Sequence, residues 1–305
     1  MAAATSPIVG PVPARALPEW IRVRPPRGEY GHVRDLLGEL GLGTVCREAR
    51  CPNLSECWSA GTATLMLLGT DCTRRCAFCA VTTHWPRGVV DPTEPRRVAE
   101  AVRRWGLRYV VLTQVCRDDL ADGGASLMAE TVDRLRESAP RARVELLVGD
   151  LGGSPSALER VLASRPDVLA HNLETTRSLS PSVRDPRAGY DRSLGLLRAA
   201  RAQGAGRLVT KSSIMLGLGE TENELAEAFR DLRAAGVDLL TLGQYLRPSP
   251  AHAAVERYVP PEEFAQLAER ALAAGFAGVE AGPLVRSSYH AEELWRRAVE
   301  RRGGP

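Results

Sequence analysis

The sequence predicts an α/β protein: a partial (β/α)6 barrel of the TIM type, with a cysteine-rich extension before it and a helical extension after it. Three observations predict this class. From Thr62 onward, short β-prone runs alternate with amphipathic helical stretches. Alternation at that spacing implies parallel strands joined by right-handed crossovers. Six such units are visible, fewer than the eight of a closed barrel, so a lateral gap is expected that can admit a large substrate. The length agrees. A chain of 305 residues can bury about 75% of its extended surface as one large domain with small appendages.

Met1 to about Pro26 is rich in Pro, Ala and Arg and reads as an irregular tail. Val33–Leu40 reads as a short helix, and a cysteine-rich stretch from Cys46 to Cys57 follows. Strands are expected at Thr64–Gly69, Tyr109–Thr113, Val144–Val148, Val168–Asn172, Leu208–Ile214 and Leu239–Gly243. Helices are expected near Arg96–Trp105, Ala125–Ser138, Ser156–Ala163, Tyr190–Gln203 and Glu222–Ala235, each closed by Gly, Pro or Ser/Thr. Pro261–Ala274 and His290–Arg302 read as terminal helices flanking a loop, Gly275–Tyr289. The chain thus divides into an extension over 1–60, a core over 61–260 and a second extension over 261–305.

Composition excludes several classes of function. Hydrophobic residues make up 44% and charged residues 25%, a globular balance that excludes wholesale disorder. No apolar run reaches the roughly 18 residues of a membrane-spanning helix, and Met1 to Pro18 does not read as a secretory signal. Lys+Arg is 40 and Asp+Glu is 37, and the net charge of +3 is too weak to argue for nucleic acid. A cytoplasmic monomer is expected. Lys211 is the only lysine; every other cation is arginine.

Seven cysteines sit in this chain, six of them between Cys46 and Cys79. In a reducing compartment, clustered cysteines bind metal or do redox chemistry more often than they pair. Cys72, Cys76 and Cys79 form a C-x3-C-x2-C run directly after the first expected barrel strand. Three thiolates on one tight loop can hold three irons of a [4Fe–4S] cube and leave the fourth iron open for another ligand. A closed structural zinc site wants four ligands. Cys46, Cys51 and Cys57 form a second set, C-x4-C-x5-C, again one ligand short of a complete cube. Two sets separated by one strand suggest two clusters. The bland alternative, one structural site across both, leaves two cysteines unexplained.

The C-x3-C-x2-C run resembles the radical S-adenosylmethionine superfamily. There the open iron chelates S-adenosylmethionine, and electron donation cleaves the C–S bond to give a 5′-deoxyadenosyl radical. The longer string TVCREARCPNLSECWSAGTATLMLLGTDCTRRCAFC resembles the lipoyl synthase family. The likeness runs from Pro18-Glu19-Trp20 to Ala291, through DPTEPRRVAEAV, RDDLADGGA, HNLETT, TKSSIMLGLGET, GQYLRPSPAHAAVERYVPPEEF and GPLVRSSYHAEE. The resemblance implies two [4Fe–4S] clusters and S-adenosylmethionine as cofactors. It implies that Cys46, Cys51 and Cys57 hold an auxiliary cluster whose fourth ligand is Ser287 of Arg286-Ser287-Ser288-Tyr289. By composition alone Ser287 reads as a helix N-cap. A hard serine oxygen is a labile partner for a site that prefers thiolate, which suits a cluster consumed as a sulfur source.

The implied reaction inserts sulfur at C6 and C8 of an octanoyl chain amide-linked to a lysine of a lipoyl carrier domain. Implied partners are octanoylated carriers, such as the glycine cleavage H protein or 2-oxoacid dehydrogenase acyltransferase subunits, and an electron donor such as ferredoxin or flavodoxin. The alternatives are a divergent sulfur-inserting paralogue, a non-catalytic iron–sulfur scaffold, or a zinc-binding interaction module.

Asn172 and Glu174 fall at the end of the fourth expected strand, where alternation puts them on one face. The resemblance implies S-adenosylmethionine contacts there. Gly123-Gly124 is expected to let backbone groups approach the methionine amino group, though glycines also simply make turns. Lys211, as the one retained lysine, suggests a compact ammonium meeting a carboxylate or amide oxygen in the mouth of the site. Arg286 is expected to hold either a carrier carbonyl or a cluster-linked anion. Gln114 and Cys116 depart from the family's usual serine and aspartate near the cofactor mouth. The bland reading of Cys116 is a small buried hydrophobe.

Overall fold

The computed structural model describes residues 17–23, 25–204 and 206–301. Most of the expected N-terminal tail and the final Arg302 of the expected last helix lie outside the described residues. Among the described residues one sheet of eight strands runs in sequence order: β1 Gly43–Thr44, β2 Thr64–Leu67, β3 Tyr109–Gln114, β4 Arg143–Leu147, β5 Val168–Ala170, β6 Val209–Leu216, β7 Leu239–Gln244 and β8 Gly278–Gly282. β1 is antiparallel to β2 and every other neighbouring pair is parallel. β1 and β8 are the edges, so the barrel is open.

Every residue of β2 and β7 is buried, as expected where helices cover the outside and side chains fill the inside of a parallel sheet. The helices are α1 Tyr30–Glu39, α2 Val45–Glu48, α3 Leu54–Ser59, α4 Glu94–Trp105, α5 Ala125–Ser138, α6 Pro155–Ala163, α7 Ser180–Val183, α8 Tyr190–Gln203, α9 Glu222–Ala234, α10 Pro261–Ala273 and α11 Ala291–Arg301. Their ends carry the expected chemistry. α4 has a proline in its first turn and stops at Gly106, whose φ of 69° is open to glycine at little cost. α9 opens with a capping box between Thr221 and Glu224. Val98, Leu112, Met128, Val132 and Leu146 join strands and helices in one part of the core. Ile214, Phe229, Leu240 and Phe264 do so in another.

The six expected units are present as β2 to β7 with their helices. The expected loop 275–289 is corrected: it contains β8, a seventh parallel strand registered on β7 from Leu239↔Gly278 to Gly243↔Gly282. Two glycines and a glutamate in five residues hide its β character. Gly278 is needed for packing, because a Cβ there would lie 2.9 Å from Leu294 and 3.0 Å from Leu239. β5 ends at Ala170, two residues short of the expected boundary.

The open side is occupied by two segments from opposite ends of the chain. The α2–α3 segment adjoins β1 and β2, and residues 284–289 follow β8. Three side-chain hydrogen bonds tie residues 284–289 to the α2–α3 segment and the start of β2. Thr64 Oγ1 donates to Ser288 Oγ (2.7 Å), Asn53 Nδ2 donates to the Leu284 carbonyl, and the Tyr289 hydroxyl donates to Glu56 Oε1 (3.2 Å). The barrel gap is therefore a seam stitched by polar contacts.

Candidate active site

Inside the barrel mouth and seam lies one cavity of about 820 Å³. Its wall carries Cys46, Cys51, Cys57 and Ser287 together with Cys72, Cys76, Cys79, Asn172 and Glu174. Both cysteine sets, more than ten residues apart in sequence, thus face a single space.

The Cys72–Cys79 loop leaves β2 and is tied down at many points. Cys72 N–H donates to the Thr82 carbonyl (2.8 Å), Thr73 N–H to the Cys116 carbonyl (2.9 Å) and Ala77 N–H to the Val183 carbonyl (2.8 Å). His252 Nε2 lies 3.0 Å from the Cys79 carbonyl oxygen. Arg74, inside the loop and 5% exposed, reaches Asp118 and Asp150, each at 2.7 Å. Two backbone N–H groups point at sulfur: Arg74 N–H at Cys72 Sγ and Asp185 N–H at Cys76 Sγ, both 3.4 Å. Such bonds favour thiolate and tune the potential of an iron–sulfur centre. The Cys116 thiol donates to Cys72 and, as the main cause, draws the Cys72 pKa down to about 6. Burial pushes Cys79 up to about 12 and raises Cys76.

The other set is assembled differently. Cys46 lies in α2, Cys51 in the turn after it and Cys57 in α3. Cys51 N–H donates to the Cys46 carbonyl (3.0 Å) and Cys57 N–H to the Asn53 carbonyl (2.8 Å), so the turn between the helices spaces the three thiols. Burial is the leading influence on each thiol, pushing Cys46 to about 11, Cys57 to about 12 and Cys51 upward, the last against the opposing charge of Arg286. Ser287 sits in the turn closed by Tyr289 N–H to the Arg286 carbonyl (3.0 Å). Three soft thiols and one hydroxyl on a common wall fit a cube with one hard, weak corner. The neutral thiols require that metal binding release protons.

At the mouth, His171 is 4% exposed and held between the Val148 carbonyl (2.9 Å) and Ser193 Oγ (2.8 Å). Burial, with the Arg184 charge next, lowers its pKa to about 4. Asn172 Oδ1 is buried without a hydrogen-bond partner among the described residues. The Glu174 carboxyl accepts a hydrogen bond from the Asn172 side chain; burial raises its pKa and Arg184 opposes that. An orphaned carbonyl oxygen beside a carboxylate fits a ligand bearing hydroxyl donors, such as a ribose diol. The expected reason for their pairing is corrected: β5 has ended, and Glu174, at φ 72°, is set by its own bridge to Ile214.

Two other expectations are corrected. Gly123-Gly124 does not line this cavity. Its φ values of 58° and 90° turn the chain into α5, and a Cβ on Gly124 would fall 2.1 Å from Leu68 Cδ1. The pair serves turn and packing; Gly123 borders a smaller recess of about 280 Å³ that shares Arg74, Gln114 and Cys116 with the cavity. Lys211 does meet a carboxylate, but inside the barrel rather than at the mouth. Its Nζ lies 2.8 Å from Glu145 Oε1 with both side chains 1% exposed, and the Tyr109 hydroxyl donates to Glu145 Oε2 (2.7 Å). β6 pairs this residue with Ala170, the last of β5, and with Leu239, the first of β7.

Sequence reasoning missed Arg74, Arg184 and Asp185. The one available signal was arginine inside the C-x3-C-x2-C run. Cys116, a departure from the family pattern, is half-buried beside Cys72 and clamps the loop through its carbonyl, which also accepts from Thr73 Oγ1 (2.9 Å).

Residues 66–232 match the Radical SAM superfamily model. The chain is 56% identical over 288 residues to the lipoyl synthase of Thermus thermophilus, covering 94% of this chain and 89% of that protein. The chain belongs to the lipoyl synthase family. Lipoyl synthases of Sorangium cellulosum (53% identity; 94% and 81% covered) and Pyrobaculum calidifontis (55%; 92% and 96%) are similarly close. Among solved structures, methylornithine synthase shares the fold at TM-score 0.56 and 15% identity, covering 83% of this chain and 75% of that one. The hydrogenase maturase HydG from Carboxydothermus hydrogenoformans shares it at 0.54 and 15%, covering 88% and 60%. Membership in the lipoyl synthase family accounts for two cysteine sets in one barrel, and it favours a radical sulfur-inserting enzyme over a scaffold or zinc module.

Proposed function

We infer that the protein inserts sulfur at C6 and C8 of an octanoyl group carried on the lysine of a lipoyl carrier domain. The observation that carries this reading is the shared cavity lined by both cysteine sets and Ser287. An iron–sulfur cluster with S-adenosylmethionine would supply the radical chemistry that an unactivated C–H bond demands, and a second cluster would supply sulfide. Cys72, Cys76 and Cys79 would hold the first; Cys46, Cys51, Cys57 and Ser287 would hold the second.

The remaining residues position and shield. Asn172 offers its unpaired oxygen to the ribose of S-adenosylmethionine, and Glu174 accepts beside it. Phe78, Val81, Val111 and Ile214 line the same cavity and provide an apolar channel for the acyl chain that excludes water. Arg286, half-buried with its charge acting on Cys51, favours the thiolate form of that ligand. Division of the chain at about residues 60 and 260 corresponds to auxiliary ligands, radical core and serine-bearing return segment. The H protein or acyltransferase carriers supply the acyl-lysine, ferredoxin or flavodoxin the electrons, and the setting is the cytoplasm, with the enzyme as a monomer.

Anaerobic reconstitution followed by iron and sulfide counting and turnover of an octanoyl-lysine peptide tests the reading. The expected result is about eight irons per chain, 5′-deoxyadenosine and a dithiolated peptide. Only one cube per chain, or cube-loaded protein that yields no 5′-deoxyadenosine with S-adenosylmethionine and reductant, overturns it.

A further inference from the structure

The loop after the Cys72–Cys79 run carries an apolar surface that lies outside the central cavity. Trp85, Val89 and Val90 expose 48%, 72% and 40% of their area within one short stretch of chain. Clustered exposed apolar side chains mark contact sites. This loop is held in place from beneath. Arg117 and Asp119, with side chains 1% and 2% exposed, form a two-point ion pair. Arg117 donates from Nη2 to the Val89 carbonyl (2.8 Å), and Asp119 accepts from Gly88 N–H (2.7 Å). A buried ion pair thus fixes an apolar loop in water, an arrangement with no folding advantage of its own.

Its location is specific. Thr83 forms a parallel bridge with Cys72, and His84 N–H donates to the Cys72 carbonyl (3.0 Å). The root of the loop is therefore hydrogen-bonded to the backbone of an iron ligand. The charge is also uneven. Arg75 and Arg87 are exposed and make no ion pair among the described residues, whereas the nearby Asp71 has His84 at 3.5 Å. None of Trp85, Arg87, Val89 or Val90 lines the central cavity, so an acyl chain has no reason to be delivered over them.

We propose that the 84–90 loop, with Arg75 and Arg87 at its rim, is the docking surface for a small acidic one-electron carrier protein. The proposal rests on reading Cys72, Cys76 and Cys79 as the radical site. An apolar centre with a charged rim is the usual anatomy of a protein contact, and unpaired cations steer an acidic partner to it. In the docked pair one electron leaves the carrier's reduced flavin or iron–sulfur centre, and the iron set on the three cysteines gains it. No other bond forms or breaks in that step.

The test uses the full chain with reconstituted iron and two probes, an acidic flavodoxin and an acidic ferredoxin. Trp85→Ser, Arg87→Glu and Val89→Asp are combined, with the melting temperature as a fold check. The variant is expected to bind both carriers about tenfold more weakly, with a flatter salt dependence. Bleaching of the iron–sulfur absorbance by the reduced carriers slows by a similar factor, while dithionite-driven 5′-deoxyadenosine release is unchanged. Unaltered carrier binding and bleaching in the variant, or no electron transfer from either carrier to the parent protein, overturns the proposal. So does weakened binding of an octanoylated carrier with bleaching intact, which assigns the surface to the acyl carrier instead. Failure of the parent protein to release 5′-deoxyadenosine with dithionite overturns the radical reading itself.

Discussion

The two cysteine sets face the same cavity but are built on different principles. Cys72, Cys76 and Cys79 sit on one loop whose backbone and Arg74 are anchored to the barrel at several points. Two of their sulfurs receive backbone N–H groups. Cys46, Cys51 and Cys57 sit on two short helices and the turn between them at a sheet edge, and the serine proposed to complete them comes from the other end of the chain across a polar seam. The first set is preorganised by the core. The second depends on whether the seam stays shut, which suits a site whose occupant is taken apart.

The sharpest way to break this comparison is to delete each set in turn. Replacing Cys72, Cys76 and Cys79 by Ala should abolish 5′-deoxyadenosine formation. Replacing Cys46, Cys51 and Cys57 should leave that product and abolish only thiolation, with either change removing about four irons. Equal loss of 5′-deoxyadenosine from both would show that the sites do not divide the labour as described.

A smaller effect tests the loop's brace. Arg74→Met removes the close ion pair of Asp150, whose side chain is 1% exposed, and leaves it, among the described residues, only Arg192 at 3.7 Å. It should lower global stability by about 3–5 kcal/mol, read by chemical denaturation. The seam should respond locally instead. Asn53→Ala unpairs the Leu284 carbonyl at a cost of about 1–3 kcal/mol, and iron should be lost from the auxiliary set first, with the radical set still spectroscopically intact. Simultaneous loss from both would mean that the seam and the loop are one unit.

A comparable effect is a pH dependence. Neutral His171 is favoured in the fold, its pKa lowered from 6.5 to about 4. The unfolded chain then binds the proton first, so stability is whole above about pH 6.5 and declines toward pH 4, by at most about 1.4 kcal/mol per pH unit. Melts at pH 7 and pH 5 should converge in His171→Gln.

Much of this was legible beforehand, and for identifiable reasons. β2 to β7 are apolar runs cut off by turn residues, and the cysteine spacings announce their chemistry directly. β8 was not legible, because Gly278, Glu280 and Gly282 carry no strand signal and pairing with β7 supplies what they lack. Arg74 could not be read either: its carboxylates lie 44 and 76 positions away. Glu145 in a strand reads as solvent-facing until Lys211, 66 positions on, is found opposite it. Ser287 as a candidate ligand rests on family likeness alone, since a hydroxyl ligand has no spacing code of its own.

The burial of Lys211 has a practical corollary. The chain's only ε-amine is 1% accessible, so acylating or succinimidyl reagents find no side-chain target on the native surface. Any ε-modification of this protein reports that the barrel has come apart. Mass-resolved amine labelling at position 211 is thus a built-in gauge of global opening, one that needs no engineered probe.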